Sequence, residues 1–479
     1  MDPFTITIFH TNDMHAHLEA MTRLSSFARR LRNDAKAKGN LIFFWDAGDA
    51  ADRRSRLCSI TKGAGFSSIL NAMGYNLQTM GNAIALPYGP KAMADVARRA
   101  DFPILAANCR DGSSPLPEGL KETVIIPLPH GLQMGVIGLT APWGGLYEVF
   151  GLHFPETCAL TRELVKDLEN KNVPLIILLS HLGLDEDRRL AEIVPGIDLI
   201  IGSHSHDLLP EGEVVNGVLI AQAGEFAKAL GRIDLDLNPE DGKVLNLKSQ
   251  VLNVPDDEEP DPVVLEAITA LEKEVDERMS QPIGILKETL DLDHYQECDI
   301  GNLTADALRQ RMKAEVAIVS SGLFHKGLPK GVVTLGNLDA ACFSSANPCL
   351  TPFRGSQIME ALERGLDPTI CQYLHHGFRG TPIGIPQVSG MTIQFDPNAE
   401  TGSRVKNILI QGEPLSLERV YLVAHTDAET MQEFGYFQLE QGQESKHEVP
   451  TIVREAIADY LQQYKSVPKP IRGRWKTVS

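Results

Sequence analysis

Short apolar runs recur through the first half of the chain, at 5–9, 41–45, 76–80, 103–107, 134–139, 174–179 and 197–201. Between them lie segments with apolar residues at helical spacing: 22–37, 66–73, 91–99, 159–170 and 186–193. Short continuous apolar runs bounded by turn residues fit buried strands, and longer periodic ones fit helices. Strands alternating with helices predict an α/β fold with a largely parallel sheet under a cover of helices. A stretch rich in Pro and acid at 254–262 predicts a domain boundary, and one amphipathic helix over 263–279 follows it. Beyond 282 the pattern is mixed, with helices expected at 301–311, 355–364 and 453–463 and strands at 316–319, 391–395, 405–410 and 420–424. The expected organisation is therefore a first domain over 1–255, a linker and connecting helix over 256–281, and a smaller α/β domain over 282–479. No internal repeat or low-complexity tract stands out.

The strand ends carry the chemistry. Asp13-Met14-His15, Gly48-Asp49, Gly81-Asn82, Ser180-His181 and Gly202-Ser203-His204-Ser205-His206 each follow directly on an apolar run. In open α/β sheets, ligands collect at the carboxyl ends of the strands, so residues distant in sequence can meet there. Carboxylates, imidazoles and an Asn carbonyl suit divalent Mn, Zn, Fe, Co or Ni. Asp13 and His15, two apart in a turn, can reach one ion. Asp49 sits in a Gly-flanked turn and is the natural bridging carboxylate. His204 and His206 alternate across Ser205, so each can serve a different ion. Two ions a few Å apart clamp a phosphoryl group and generate hydroxide at neutral pH. Singly, an Asp-x-His or a Gly-Asp is an ordinary turn; the weight lies in all of them occurring in succession, each after a strand.

Composition narrows the partners. A formal net charge of −18 argues against a protein that coats nucleic acid. A small phosphorylated substrate remains compatible, because bound cations invert the local field. The seven cysteines are scattered singly, with no CxxC pair, which disfavours a zinc ribbon or disulfide framework and fits a reducing compartment. No apolar run approaches the roughly 20 residues needed to cross a bilayer. No leader pattern precedes Ile6, and residues 1–5 read like a vector remnant. The expectation is a cytoplasmic protein without membrane or nucleic-acid partner, a monomer or small homo-oligomer.

Taken together, Phe9-His10-Thr11-Asn12-Asp13-Met14-His15, Asp46-Ala47-Gly48-Asp49, Gly81-Asn82, Leu178-Leu179-Ser180-His181-Leu182-Gly183 and Gly202-Ser203-His204-Ser205-His206 resemble the metallophosphoesterase domain of the 5'-nucleotidase family. The nearest flavour is that of unsecreted Bacillus-type nucleoside phosphatases. Cys298-Asp299-Ile300-Gly301-Asn302-Leu303-Thr304-Ala305-Asp306-Ala307 resembles the signature that opens the family's C-terminal domain. The resemblance covers nearly the whole chain. It implies a calcineurin-like sheet-and-helix sandwich, a connecting helix, and a smaller α/β domain that recognises substrate. It also implies two divalent metal ions and hydrolysis of small phosphate esters, nucleotides foremost, by a metal-bridging hydroxide. Carried over, Asp13, His15, Asp49 and His206 hold one ion, and Asp49, Asn82, His181 and His204 the other. Asn82 and His181 also stand beside the reacting group as catalytic residues.

The chain departs from the family at three places. Members continue Gly-Asn with His-Glu and, shortly after, Asp, a pair that stabilises the transition state or protonates the leaving oxygen. Here the chain reads Gly81-Asn82-Ala83-Ile84-Ala85-Leu86-Pro87-Tyr88. A general acid contributes about 10²–10⁴-fold in rate. Its loss implies another acid, with Tyr88 and His17 the nearest in sequence, a preference for activated esters, or, as the alternative, a nucleotide-binding protein with weak or no turnover. Second, Ser320-Ser321-Gly322-Leu323-Phe324-His325 stands where the family has Asn-Gly-Gly-Gly-Ile-Arg. Ser321, Gly322 and His325 are its candidate substrate contacts, without the bidentate grip of Arg. Third, members hold the base between two aromatic rings. Phe343 matches the first, and Glu433-Phe434-Gly435-Tyr436-Phe437 offers Tyr436, or else Phe437, for the second. The ordinary reading of these rings is core packing.

Overall fold

The apolar runs of the first half build two six-stranded sheets rather than one. This computed structural model describes residues 2–112, 116–374 and 381–478. It divides into units Met1–Val275 and Asp276–Ser479. In the first unit, one sheet runs in the order Val244–Asn253, Ala229–Leu237, Phe4–Thr11, Leu41–Asp46, Leu77–Thr79, Ile104–Leu105. The other runs Glu213–Val215, Val218–Ala221, Leu199–Ile201, Leu175–His181, Gln133–Thr140, Thr123–Pro127. The first is parallel from Phe4–Thr11 across to Ile104–Leu105 and antiparallel on its other side; the second has a parallel centre and an antiparallel strand at each edge. The expected single, largely parallel sheet is thus corrected to two mixed sheets. Hairpins supply the antiparallel pairs at the edges, because a short loop can join only antiparallel neighbours; the pair Phe4–Thr11 with Ala229–Leu237 is instead long-range.

Side-chain alternation sorts residues between the layers. Ile177 and Leu179 join Ile6, Ile8, Trp45 and Leu105 in the core between the two sheets. Their strand neighbours Ile176 and Leu178 point the other way, into a second core with Leu164 and Leu168 of the helix Thr157–Asn170. The sheets approach closely at Gly138, where an added Cβ would lie 2.0 Å from the Leu105 Cβ. The second unit centres on a five-stranded sheet in the order Pro386–Ser389, Val316–Ser320, Val420–Thr426, Pro348–Arg354, Lys446–His447. The helix Asp299–Arg311 packs on it through Leu303 and Leu308. All seven cysteines are buried and unpaired. No helix among the described residues is long and apolar enough to cross a membrane.

His10 is an anomaly in the first sheet. It pairs in register with Gly231, whose missing side chain makes room for the ring: a Cβ there would sit 2.0 Å from Nε2. Both ring nitrogens are buried without a partner, and burial pushes the imidazole down to about 4. The unfolded chain therefore takes up a proton near the ordinary value of about 6.5 that the folded chain refuses. Stability that is whole above that value should fall as pH drops toward 4, by up to ~1.4 kcal/mol per pH unit for this one proton. Urea denaturation across pH 4–7 should show a shallower acid limb in His10→Leu than in the parent.

Candidate metal centre

Donors from both sheets meet at one edge because the parallel strands end there together. Thr11 is in register with Asp46, and Thr140 with His181. Asp13, Asp49 and Asn82 follow the strands of the first sheet; His181, His204 and His206 end or follow those of the second. The first two loops are zipped together by the backbone: Asp13 N–H donates to Gly48 O (3.0 Å), His15 N–H to Asp49 O (2.9 Å) and Ala47 N–H to Thr11 O (2.8 Å).

The resulting distances are those of a cation site. His15 Nε2 lies 3.2 Å from His206 Nε2. Asp13 Oδ1 is 3.8 Å from the first and 3.5 Å from the second. That oxygen is buried without a hydrogen-bond partner. Two imidazole nitrogens facing each other and an orphan carboxylate oxygen make a poor set for one another and a good set for a divalent ion. A second group joins Asp13, Asp49 and His181, with His181 Nε2 3.4 Å from Asp49 Oδ2 and 3.1 Å from Asn82 Oδ1. The carboxylate common to both groups is Asp13. His204 stands beside them, its ring centroid 5.1 Å from that of His181 and its N–H donating to Asp13 Oδ2 at 2.9 Å.

The backbone is bent to achieve this. Asp13, His15, Asp49, His204 and His206 all have positive φ, between 46° and 76°. Such conformations cost about 1–3 kcal/mol each and gather at functional sites. Two glycines are required by close approach. A Cβ at Gly48 would meet His181 Nδ1 at 2.5 Å, and one at Gly81 would meet Asp49 Oδ1 at 1.9 Å.

A surrounding layer fixes the donors. His181 Nδ1 lies 2.9 Å from Ala47 O and 2.6 Å from Ser203 Oγ, which turns Nε2 inward. Asp49 Oδ1 accepts from Ala83 N–H at 2.8 Å. Asn12 donates to Asp13 Oδ2 (2.9 Å) and to Gly224 O (2.6 Å). Glu225 Oε2 sits 2.5 Å from His206 Nδ1. Burial alone would depress the His181 imidazole, but the Asp49 carboxylate outweighs it and holds His181 up at about 9. Reciprocally, burial would raise Asp49, yet pairing with His181 holds it below the usual carboxylate range. The site demands positive charge. Glu225 and Asn12 escaped the sequence reading. Asn12 belongs to a motif already singled out, and Glu225 has only its place after the strand Val218–Ala221 to mark it.

The other expected residues are scattered. Ala83 leaves no side chain beyond a methyl beside Asn82. Tyr88 is partly buried in the kinked helix Asn82–Arg99, hydrogen-bonded to Cys58, and burial pushes its phenol well up. His17 stacks on Phe226 with centroids 4.2 Å apart. In the second unit, Ser321 and Gly322 are buried, and the His325 ring covers Phe343 at 4.1 Å. Tyr436, expected as a stacking ring, is instead a core residue, 1% exposed, with its hydroxyl donating to Gly384 O at 2.7 Å. Phe437 is also core, stacked on Phe353 at 4.1 Å.

Comparison with known proteins bears on the class of protein. Residues 6–208 match the calcineurin-like phosphoesterase family, and residues 281–439 match the 5'-nucleotidase C-terminal domain. The chain is 25% identical over 462 residues to the uncharacterized metallophosphoesterase YunD of Bacillus subtilis, covering 96% of this chain and 99% of that one. It is 30% identical over 456 residues to the trifunctional nucleotide phosphoesterase protein YfkN of the same organism, covering 85% of this chain but 30% of that protein. The 5'-nucleotidase precursor of Thermus thermophilus aligns over 99% of this chain and 100% of its own, with TM-score 0.52 and 25% identity. The chain thus belongs to the 5'-nucleotidase family of metallophosphoesterases. It is a hydrolase of phosphoester bonds, and its family implies divalent metal ions.

Carboxylates that orient a metal-binding histidine typically contribute 10–100-fold, roughly, to metal affinity. Glu225→Gln should therefore weaken binding of Mn²⁺ or Zn²⁺ by about that factor, read by equilibrium dialysis, while the fold stays intact by circular dichroism.

Proposed function

We propose that this chain hydrolyses small phosphate esters and anhydrides, with nucleotides as the main substrate class, at a dinuclear site. Asp13, His15, Asp49 and His206 would hold one ion, and Asp49, Asn82, His181 and His204 the other. The observation that supports this reading is that two adjoining donor groups, Asp13 with His15 and His206 and Asp49 with His181, gather at one edge around an orphan buried oxygen of Asp13. The donor chemistry suits Mn²⁺, Zn²⁺, Co²⁺, Ni²⁺ or Fe²⁺. Bound there, two such ions would supply Lewis acidity and lower the pKa of a coordinated water toward neutrality.

The chain's own residues do the rest. Asp13 and Asp49 are fixed by the N–H groups of His204 and Ala83 and keep positive charge at one place. Asn82 faces His181 through Oδ1, which leaves its Nδ2 to donate to a phosphoryl oxygen as negative charge builds there. Protonation of the leaving oxygen is the weak step. A general acid works best with a pKa near the operating pH, and Tyr88 is pushed far above it. Esters whose leaving group is stable as an anion should therefore turn over fastest. Residues 282–479 serve substrate recognition in this reading, and seven unpaired buried cysteines support a reducing, cytoplasmic setting. An intact donor set argues against a protein that only binds nucleotides.

The decisive experiment is phosphate release from nucleoside mono-, di- and triphosphates, sugar phosphates and p-nitrophenyl phosphate, with each metal or a chelator. Turnover should require metal and favour the aryl ester and the anhydrides over plain monoesters. No release with any metal, despite two ions bound, would instead support the binding-protein alternative. Asp49→Asn should lose metal loading and turnover together, the first by elemental analysis and the second by at least ~10²-fold in phosphate release. Full activity with two ions retained would show the ligand assignment to be wrong.

A further inference from the structure

One strand at the donor edge contributes no metal-type side chain. Gln133–Thr140 is parallel to Leu175–His181, and its last residue, Thr140, is level with His181. Its loop therefore opens where the donors gather, yet it reads Ala141-Pro142-Trp143-Gly144-Gly145. Trp143 is 44% exposed, and its indole stands edge-on to the His204 ring, with centroids 5.9 Å apart and planes at 78°. Leu146 and Val149 follow at intervals of three, 56% and 55% exposed. Leu146 lies on the single helical turn Gly145–Glu148 and Val149 caps it, while Trp143 precedes the turn, beyond Gly144. The segment is anchored from beneath. Tyr147 is buried against Phe154, with ring centroids 4.8 Å apart. The Phe150 ring fills the space left by Gly89, where a Cβ would meet it at 2.5 Å.

An anchored loop and turn thus leave three large apolar side chains exposed, and one of them, the indole, borders the donor cluster. Exposed apolar surface bordered by polar groups marks contact sites. We propose that Trp143 is the platform for the aromatic part of the substrate's leaving group, with Leu146 and Val149 extending it. This rests on the hydrolase reading above and assigns its specificity: phosphate esters that carry a flat, uncharged ring, such as a nucleobase. Adjacency to His204 selects this occupant, because a group held by its phosphate at the donors has its organic part within reach of the indole. In the second unit, Tyr436 lies in the core and presents no ring to a substrate.

The test compares adenosine monophosphate with ribose 5-phosphate, which share the same alkoxide leaving group and differ by the base. In Trp143→Ala, the ratio of kcat/KM for the two should fall about tenfold, through KM, as expected from the loss of one base–aromatic stack. Trp143→Phe should recover most of it, and metal content should match the parent. Trp45 and Trp475 are 0% and 9% exposed, so quenching of tryptophan fluorescence by adenosine reports Trp143. Quenching should occur in the parent and vanish in Trp143→Ala. Equal loss on both esters, or an intact ratio with a changed mass by light scattering, would overturn the proposal; the latter would make the face an interface between copies. If the parent also releases no phosphate from p-nitrophenyl phosphate or the nucleoside di- and triphosphates with any metal, the hydrolase reading itself falls, and absence of quenching would sink the platform independently.

Discussion

Two buried carboxylates, Asp13 and Asp49, organise the first unit. Each lies where the parallel strands of a sheet run out, and neither has the surface exposure an acid ordinarily keeps. Moving an ionised carboxylate out of water costs several kcal/mol unless opposite charge and hydrogen bonds meet it. Asp49 nonetheless stays below the usual carboxylate range, because His181 outweighs its burial. The imidazoles of His15, His181 and His206 face these acids at 3.4–3.8 Å. Nearby, left-handed backbone at five donors and two glycines that tolerate no Cβ are arranged to bring them in. Such local strain persists only where the surrounding structure over-determines it. Here that structure is the apolar layer between two sheets, whose strands hold the loops at fixed height.

Most of the first unit was legible because its signals are local. Strands 41–45 and 134–139 and helix 159–170 were readable from apolar runs and period, and the structure extends each by only a residue or two. Partition into two sheets was not legible, since an apolar run reads the same in either layer; only pairing decides, and pairing is non-local. The hairpin Ala229–Leu237 and Val244–Asn253 was missed although Ile233-Asp234-Leu235-Asp236-Leu237 alternates plainly, with apolar residues buried and acids half-buried. Helix 91–99 is the second of two helical segments between Asn82 and Arg99, which break at Gly89 (φ 71°, ψ −170°) between Pro87 and Pro90; the first segment was not expected.

The site shows the same division. Donors were legible because each sits in a short motif after a strand. Glu225 was not, because a carboxylate that acts through an imidazole carries no spacing of its own. Tyr436 was misread for a related reason. Gly-aromatic marks a turn, but which way the ring points depends on the partner of its hydroxyl, and here that partner is the Gly384 carbonyl in the core.

The departures from the family fall on one side of the chemistry. Ala83 and His325 stand where the family resemblance expects groups that meet the leaving oxygen or the substrate, and Tyr436 lies inward. The candidate donors are all present, and Asp13, Asp49, His181 and His206 each have a second contact that holds them. Loss of function by drift would be expected to erode the strained donor loops first, since their left-handed backbone destabilises the fold and only binding maintains it. Retention of that strain alongside replacement of the substrate contacts is the pattern of a site that keeps its reaction and changes what it accepts. Trp143 fits that pattern: it places an exposed indole beside His204 at the donor edge itself.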